Sequence, residues 1–135
     1  MKIIKKSVGE PLKIVDTDKQ YLMDCAREHF EKGVTLERVY LDGFQFILVV
    51  DEDGLCKQLP LNFFMDCAGS AFPVQAIVGD VLFVRTKPCN PYEEELWDFE
   101  VTDVTDEDIE RIQKSLDAEF QYQLYLKFRG MYGAT

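Results

Sequence analysis

Histidine occurs once in this 135-residue sequence, at position 29, and tryptophan once. None of the four cysteines, Cys25, Cys56, Cys67 and Cys89, stands in a C-x-x-C pair, so the usual spacing of a zinc ribbon or a thiol redox motif is missing. No stretch approaches the ~18 consecutive apolar residues of a membrane helix. The first residues, MKIIKKSVGEPLKI, lack the run of about 7 to 15 apolar residues that a secretory signal needs. These absences lead to the expectation of a cytoplasmic protein with reduced thiols. There is no P-loop, no G-x-S-x-G and no dinucleotide fingerprint, and nothing Gly-rich surrounds Gly79-Asp80 to cradle a phosphate.

Positive charge is also short. The formal net charge is −10, with 25 acids against 15 bases. From Cys89 to Glu110 there is no Lys or Arg, while Glu93, Glu94, Glu95, Asp98, Glu100, Asp103, Asp106, Glu107, Asp108 and Glu110 all fall there. That one window carries the surplus. A nucleic-acid backbone or an anionic membrane needs a basic surface, so neither is an expected partner. A row of carboxylates suits a basic protein partner, including one that otherwise binds DNA.

What is present reads as a single α+β domain over residues 1–135, since a chain of this length buries a substantial core without staples. Lys2 to Val8 and Leu12 to Val15 suggest strands around a Gly9-Glu10-Pro11 turn. DTDKQYLMDCAREHFEKG (16–33) suggests a helix capped by Asp16, Thr17 or Asp18 and stopped at Gly33. Val34 to Leu41 alternates, Asp42-Gly43 is a hairpin signal, and FQFILVV (44–50) has the continuous apolar run of a central strand. Leu55 to Leu59 suggests a further short strand ended by Pro60, and Phe63 to Cys67 a helical turn. Val74 to Val78 and Val81 to Thr86 suggest strands split by Gly79-Asp80. Leu96 to Val104 suggests another, with Trp97, Phe99 and Val101 inward. The expected sheet is curved and mainly antiparallel, with about six or seven strands.

Thr105 followed by Asp108 has the spacing of a capping box. The stripe Ile109, Ile112, Leu116, Phe120, Leu124 and Phe128 predicts one long C-terminal helix over 106–129. Tyr122, Tyr125, Leu126 and Met131 lie off that stripe, and a helix apolar on two sides is buried on two sides. They predict self-association, with a homodimer the commonest form. The echo between LMDCAREHF (22–30) and FMDCAGSAF (64–72) is not a structural repeat, because the flanking segments do not match.

DEDG (51–54), LPLN (59–62), IVGDVLFV (77–84) and TDEDIERI (105–112) resemble, in order and spacing, a small bacterial and phage family, domain of unknown function 3846, over residues 14–113. The resemblance implies an N-terminal helix, strand pairs with D-x-x-G and V-G-D turns, a terminal T-x-E-D helix and a mobile-element setting. It implies no catalytic residue. The chain departs from the pattern in its longer acidic loop at Cys89 to Glu95 and in its extended C-terminal helix.

Two function classes follow. The first is a non-enzymatic interaction or regulatory module that needs no cofactor. Its partner-binding residues would be Glu93, Glu94, Glu95, Asp98, Glu100, Asp103, Asp106, Glu107 and Glu110, and its self-association residues Tyr122, Tyr125, Leu126 and Met131. The second is a small metal-binding or thiol-dependent enzyme built on Cys25 and His29, whose i, i+4 spacing places a thiol and an imidazole on one helix face. DVTDEDIE (103–110) lacks the Gly and closing Glu of an EF-hand and reads as a charged helix start.

Overall fold

The computed structural model describes residues 1–42, 45–65, 75–88 and 99–132; the side chains of Asp42, Met131 and Tyr132 are not among the described groups. Within these residues the chain forms, in order, β1 (Lys2–Lys6), β2 (Lys13–Asp16), α1 (Leu22–Arg27), β3 (Leu36–Asp42), β4 (Phe46–Asp51), β5 (Leu61–Met65), β6 (Gln75–Val78), β7 (Val81–Thr86), β8 (Val101–Thr102), α2 (Asp106–Ser115) and α3 (Ala118–Tyr132). The fold is α+β. Six strands make one antiparallel sheet in the order β2-β1-β7-β4-β3, with β8 also paired to β7. Strands β5 and β6 form a separate antiparallel pair.

Strands β4 and β7 occupy the centre because they can be buried on both sides. Every residue from Phe46 to Val50 is buried, as are Val81 to Val84. Alternate residues feed two cores. Ile4, Phe46, Leu48 and Phe83 point to one side, where Phe63 and Met65 of β5, Ile77 of β6 and Ile112 of α2 cover them. Ile3, Ile47, Val49, Leu82 and Val84 point to the other, under Leu22, Cys25 and Ala26 of α1 and beside Phe99 and Val101. Each fully buried Phe, Leu or Ile contributes about 1.5–3 kcal/mol. On the first side Phe83 lies between Phe46 and Phe63, with ring centroids 6.1 and 6.0 Å away.

Several local expectations differ from the structure. Asp16 ends β2, and the cap position of α1 is Tyr21, which makes no side-chain cap bond. Residues 55–59 are not a strand: Leu55 is 72% exposed and Gln58 has φ 58°, a left-handed turn conformation. Phe63 to Met65 are strand, not helical turn, with Phe64 registered opposite Ala76. Of the strand expected over 96–104, the described residues 99–104 are regular only at Val101–Thr102; Phe99 and Val101 are buried as expected, whereas Leu96, Trp97 and Asp98 lie outside the described residues. The Gly43 turn and Cys67 lie outside them too.

The single C-terminal helix is in fact two. Helix α2 ends at Ser115 and α3 begins at Ala118, with no Gly or Pro between them. The Asp117 carboxylate accepts the backbone N–H groups of Glu119 (2.9 Å) and Phe120 (3.4 Å), which starts a new helix. The open Ser115 carbonyl accepts from Gln121 Nε2 at 2.7 Å. Gln121 also closes the exposed backbone of β5: its Oε1 accepts from Phe64 N–H at 2.8 Å and its Nε2 donates to Phe64 C=O at 2.9 Å. Leu124 is buried, and Phe64 meets the Phe128 ring at 5.3 Å, so α3 is fastened along β5. No helix among the described residues is long and apolar enough to cross a membrane.

Candidate functional site

Among the described acids of the window, Asp108 is the one that is buried. It is 3% exposed and accepts two hydrogen bonds from Arg85, Nε to Oδ2 and Nη2 to Oδ1, each 2.6 Å long. The capping box is also complete: Thr105 Oγ1 accepts from Asp108 N–H at 3.1 Å, and Asp108 Oδ2 accepts from Thr105 N–H at 2.9 Å. Burial opposes ionisation of this carboxyl, but the Arg85 and Thr105 bonds outweigh it and hold its pKa below the usual value. The start of α2 is thus pinned to β7.

The remaining described acids of the window stay at the surface. The Glu100 carboxylate pairs with Lys87 at 3.0 Å and accepts from Gln20 Nε2 at 3.1 Å, and these two donors depress its pKa. Asp103 Oδ1 accepts the Lys2 N–H at 2.7 Å. Glu110 pairs loosely with Lys114 at 3.3 Å. Asp106 and Glu107, in the first turn of α2, are exposed and form no ion pair with a described basic residue. Glu93, Glu94, Glu95 and Asp98 lie outside the described residues.

On α3, Tyr122, Tyr125 and Leu126 are 58%, 42% and 41% exposed. Tyr125 also touches Phe64, with centroids 6.2 Å apart, and the Arg129 guanidinium stands 5.8 Å over its ring. Phe120 was expected on the packed stripe but is 38% exposed, because the break at Asp117 resets the helix phase. The Met131 side chain lies outside the description.

Cys25 and His29 do not share a helix face. Helix α1 stops at Arg27, and the N–H groups of Glu28 and His29 reach back only three residues, to the carbonyls of Cys25 and Ala26. Cys25 is fully buried in the core. Burial pushes its thiol pKa up against an opposing hydrogen bond with Thr17, the reverse of an activated nucleophile. His29 faces elsewhere, and burial followed by the field of Lys5 lowers its pKa against the opposing pull of Glu28, which favours the neutral ring. No group of three His, Cys, Asp or Glu side chains able to hold a metal gathers among the described residues.

What His29 does face is a cleft of about 330 Å³ at the end of the sheet where β1 and β4 stop and β7 begins. His29, Phe30, Glu31 and Val34 form one wall; Val8, Asp51, Lys57, Leu59, Pro60, Gly79 and Asp80 form the rest. Three stretches that read in sequence as separate turns, DEDG, LPLN and the Val-Gly-Asp of 78–80, converge here. Leu59 N–H donates to Gly54 C=O at 3.0 Å and Gly79 N–H to Pro60 C=O at 2.8 Å. Asn62 Nδ2 donates to the carbonyls of Gly79 (2.8 Å) and Lys6 (2.9 Å), while Lys6 Nζ donates to Asn62 Oδ1 at 2.9 Å. Gly79 is needed at its place: φ is +73°, and a Cβ there would lie 2.8 Å from Leu59 Cδ1. Sequence reasoning missed this cleft, since turn chemistry marks each turn and not their meeting. Comparison with known protein families, curated proteins and solved structures finds no match to this chain.

Proposed function

We propose that the protein is a non-enzymatic interaction module that docks a basic protein partner on the acidic segment between Glu93 and Glu110. One observation carries the reading. The Asp108–Arg85 pair and the Thr105 cap fix the start of α2 rigidly, while Asp106 and Glu107 beside them remain exposed without a described basic partner. A rigid set of unneutralised carboxylates favours a basic surface at low entropic cost, and the attraction weakens with salt. The exposed Tyr122, Tyr125 and Leu126 support joining of two copies through α3. The free thiols of Cys25 and Cys56 suit a cytoplasmic setting. The order of the DEDG, LPLN, VGD and TDED stretches supports kinship with domain of unknown function 3846. Burial of Cys25 gives no support to the competing thiol or metal enzyme.

The test is a titration with a fluorescent oligolysine peptide at several salt concentrations. The triple variant Asp106→Asn/Glu107→Gln/Glu110→Gln is expected to bind more weakly and with a shallower salt dependence. Neutralising Asp16, Asp18 and Asp24, exposed acids outside the window, serves as the control for net charge. Equal weakening by both sets would overturn the reading.

A further inference from the structure

We infer that the cleft between the loop after α1 and the β6–β7 turn binds a compact organic cation, an alkylammonium or guanidinium group carried on a short apolar stem. This site is separate from the acidic docking segment. Residue Lys2, at the start of β1, bonds Asp103, whereas Val8, past its other end, bonds Asp80. The two surfaces are therefore a strand length apart.

The polar lining decides the charge of the ligand. Lys57 is paired with Asp51: its Nζ donates to Asp51 Oδ2 at 2.8 Å, and that carboxyl also accepts from Asp53 N–H at 2.9 Å. Lys6, close to Asp80, is held by Ser7 C=O and Asn62 Oδ1, both at 2.9 Å. The cleft is also lined by Glu31, which lies in the field of Lys57, by Asp80, which lies in the field of Lys6, and by the His29 imidazole, which feels Lys5 and for which no hydrogen-bond partner is found among the described residues. Asp80 gives one oxygen to Val8 N–H at 3.1 Å and keeps acceptor capacity for a ligand. An ammonium or guanidinium brings only donors and positive charge, so it satisfies this set. A carboxylate or phosphate would meet a lining of net negative charge, Glu31, Asp51 and Asp80 against Lys57.

The apolar lining decides size and shape. Phe30, Val34, Leu59 and Pro60 supply surface for an aliphatic stem. The volume of about 330 Å³ is at the small end of ligand pockets, roughly 300–1,000 Å³, which fits a short amine or one basic side chain. The wall formed by Leu59, Pro60 and Gly79 is set before binding by the bonds among Gly54, Leu59, Pro60, Asn62 and Gly79, which lowers the ordering that opposes binding.

The experiment is a ¹H–¹⁵N correlation titration of the full chain with four probes. These are n-butylammonium, the peptide acetyl-Gly-Lys-Gly-amide, n-butanol and butyrate. The expected result is saturable shifts at His29, Gly79 and Asp80 with one or both cationic probes and none with the neutral or anionic ones. Binding by n-butylammonium assigns the site to a free amine; binding by the peptide alone assigns it to a side chain of a partner. Both Asp80→Asn, which keeps the acceptor for Val8, and Glu31→Gln, an exposed position, should weaken binding at least about threefold. Equal shifts with n-butanol or butyrate, no shift with either cation, or unchanged affinity in both variants would overturn the assignment.

Discussion

Replacing Asp108 by Asn keeps the shape of the side chain and removes its charge. The Arg85 guanidinium then keeps at most one of its two 2.6 Å bonds, now to a neutral amide oxygen, and meets an NH2 donor in place of the other, while its side chain stays largely buried at 18% exposed beside the Phe46 ring. Breaking a buried ion pair from one side costs about 3–5 kcal/mol, and the partial exposure of Arg85 places this case near about 3 kcal/mol. Against a typical reserve of about 5–15 kcal/mol this is a large fraction, and the melting temperature should fall by roughly 10 °C. The pH dependence has a definite sign. The folded-state pKa of Asp108 lies below its ordinary value, so its contribution is present in full above the unfolded value near 3.8 and is lost as pH falls through the lower folded value. Urea unfolding followed by circular dichroism should therefore separate wild type from Asp108→Asn widely at pH 7 and much less at strongly acid pH. A double-mutant cycle with Arg85→Met isolates the pair, with an expected coupling of about 1–3 kcal/mol. A loss under about 0.5 kcal/mol at pH 7, the size typical of a surface change, would refute the reasoning.

Three further outcomes are expected. Gln121→Leu should destabilise by about 1–3 kcal/mol, because it strands the N–H and C=O of Phe64 and the carbonyl of Ser115, and limited proteolysis should then cut α3 first. Gly79→Ala should cost about 1–2 kcal/mol from the left-handed backbone alone, and the added Leu59→Ala change should relieve the 2.8 Å clash but not the backbone strain; unfolding midpoints that match wild type would contradict this. His29, as the sole histidine, gives one imidazole signal, whose NMR titration midpoint should fall below 6.5. Because the fold favours the neutral ring, stability should drop as pH falls through that midpoint, and His29→Gln should flatten the slope.

The sequence was most legible where one local signal sufficed. Phe46 to Val50 announces a central strand because an apolar run with no alternation needs cover on both faces, and Val81 to Thr86 announces a strand. Thr105 and Asp108 announce the start of α2, because a cap is decided within four residues. The signal failed where two local readings competed. LNFFM is too short and too apolar to separate strand from helix by period, and only its pairing with β6 makes it β5. Asp117 was invisible as a cap because an uninterrupted apolar stripe ran through it. The acidic window was legible as charge, yet the inward turn of Asp108 depends on Arg85, a residue from another strand. The cleft was the least legible, since it exists only once three distant turns are brought to one end of the sheet.

Strand β7 governs the order in which the molecule can be completed. Its one edge is shared end to end by β1, through Val81 to Phe83, and β8, through Arg85 and Thr86, while its other edge takes β4. Until β7 has been synthesised, the β1–β2 and β3–β4 hairpins exist as two fragments, each with an open flank and bare Ile and Phe side chains. Such long-range closure is slow, on the order of milliseconds to seconds, and it leaves the nascent chain exposed to sticking during that interval. A chain released before residue 86 would have no second chance to seal that seam.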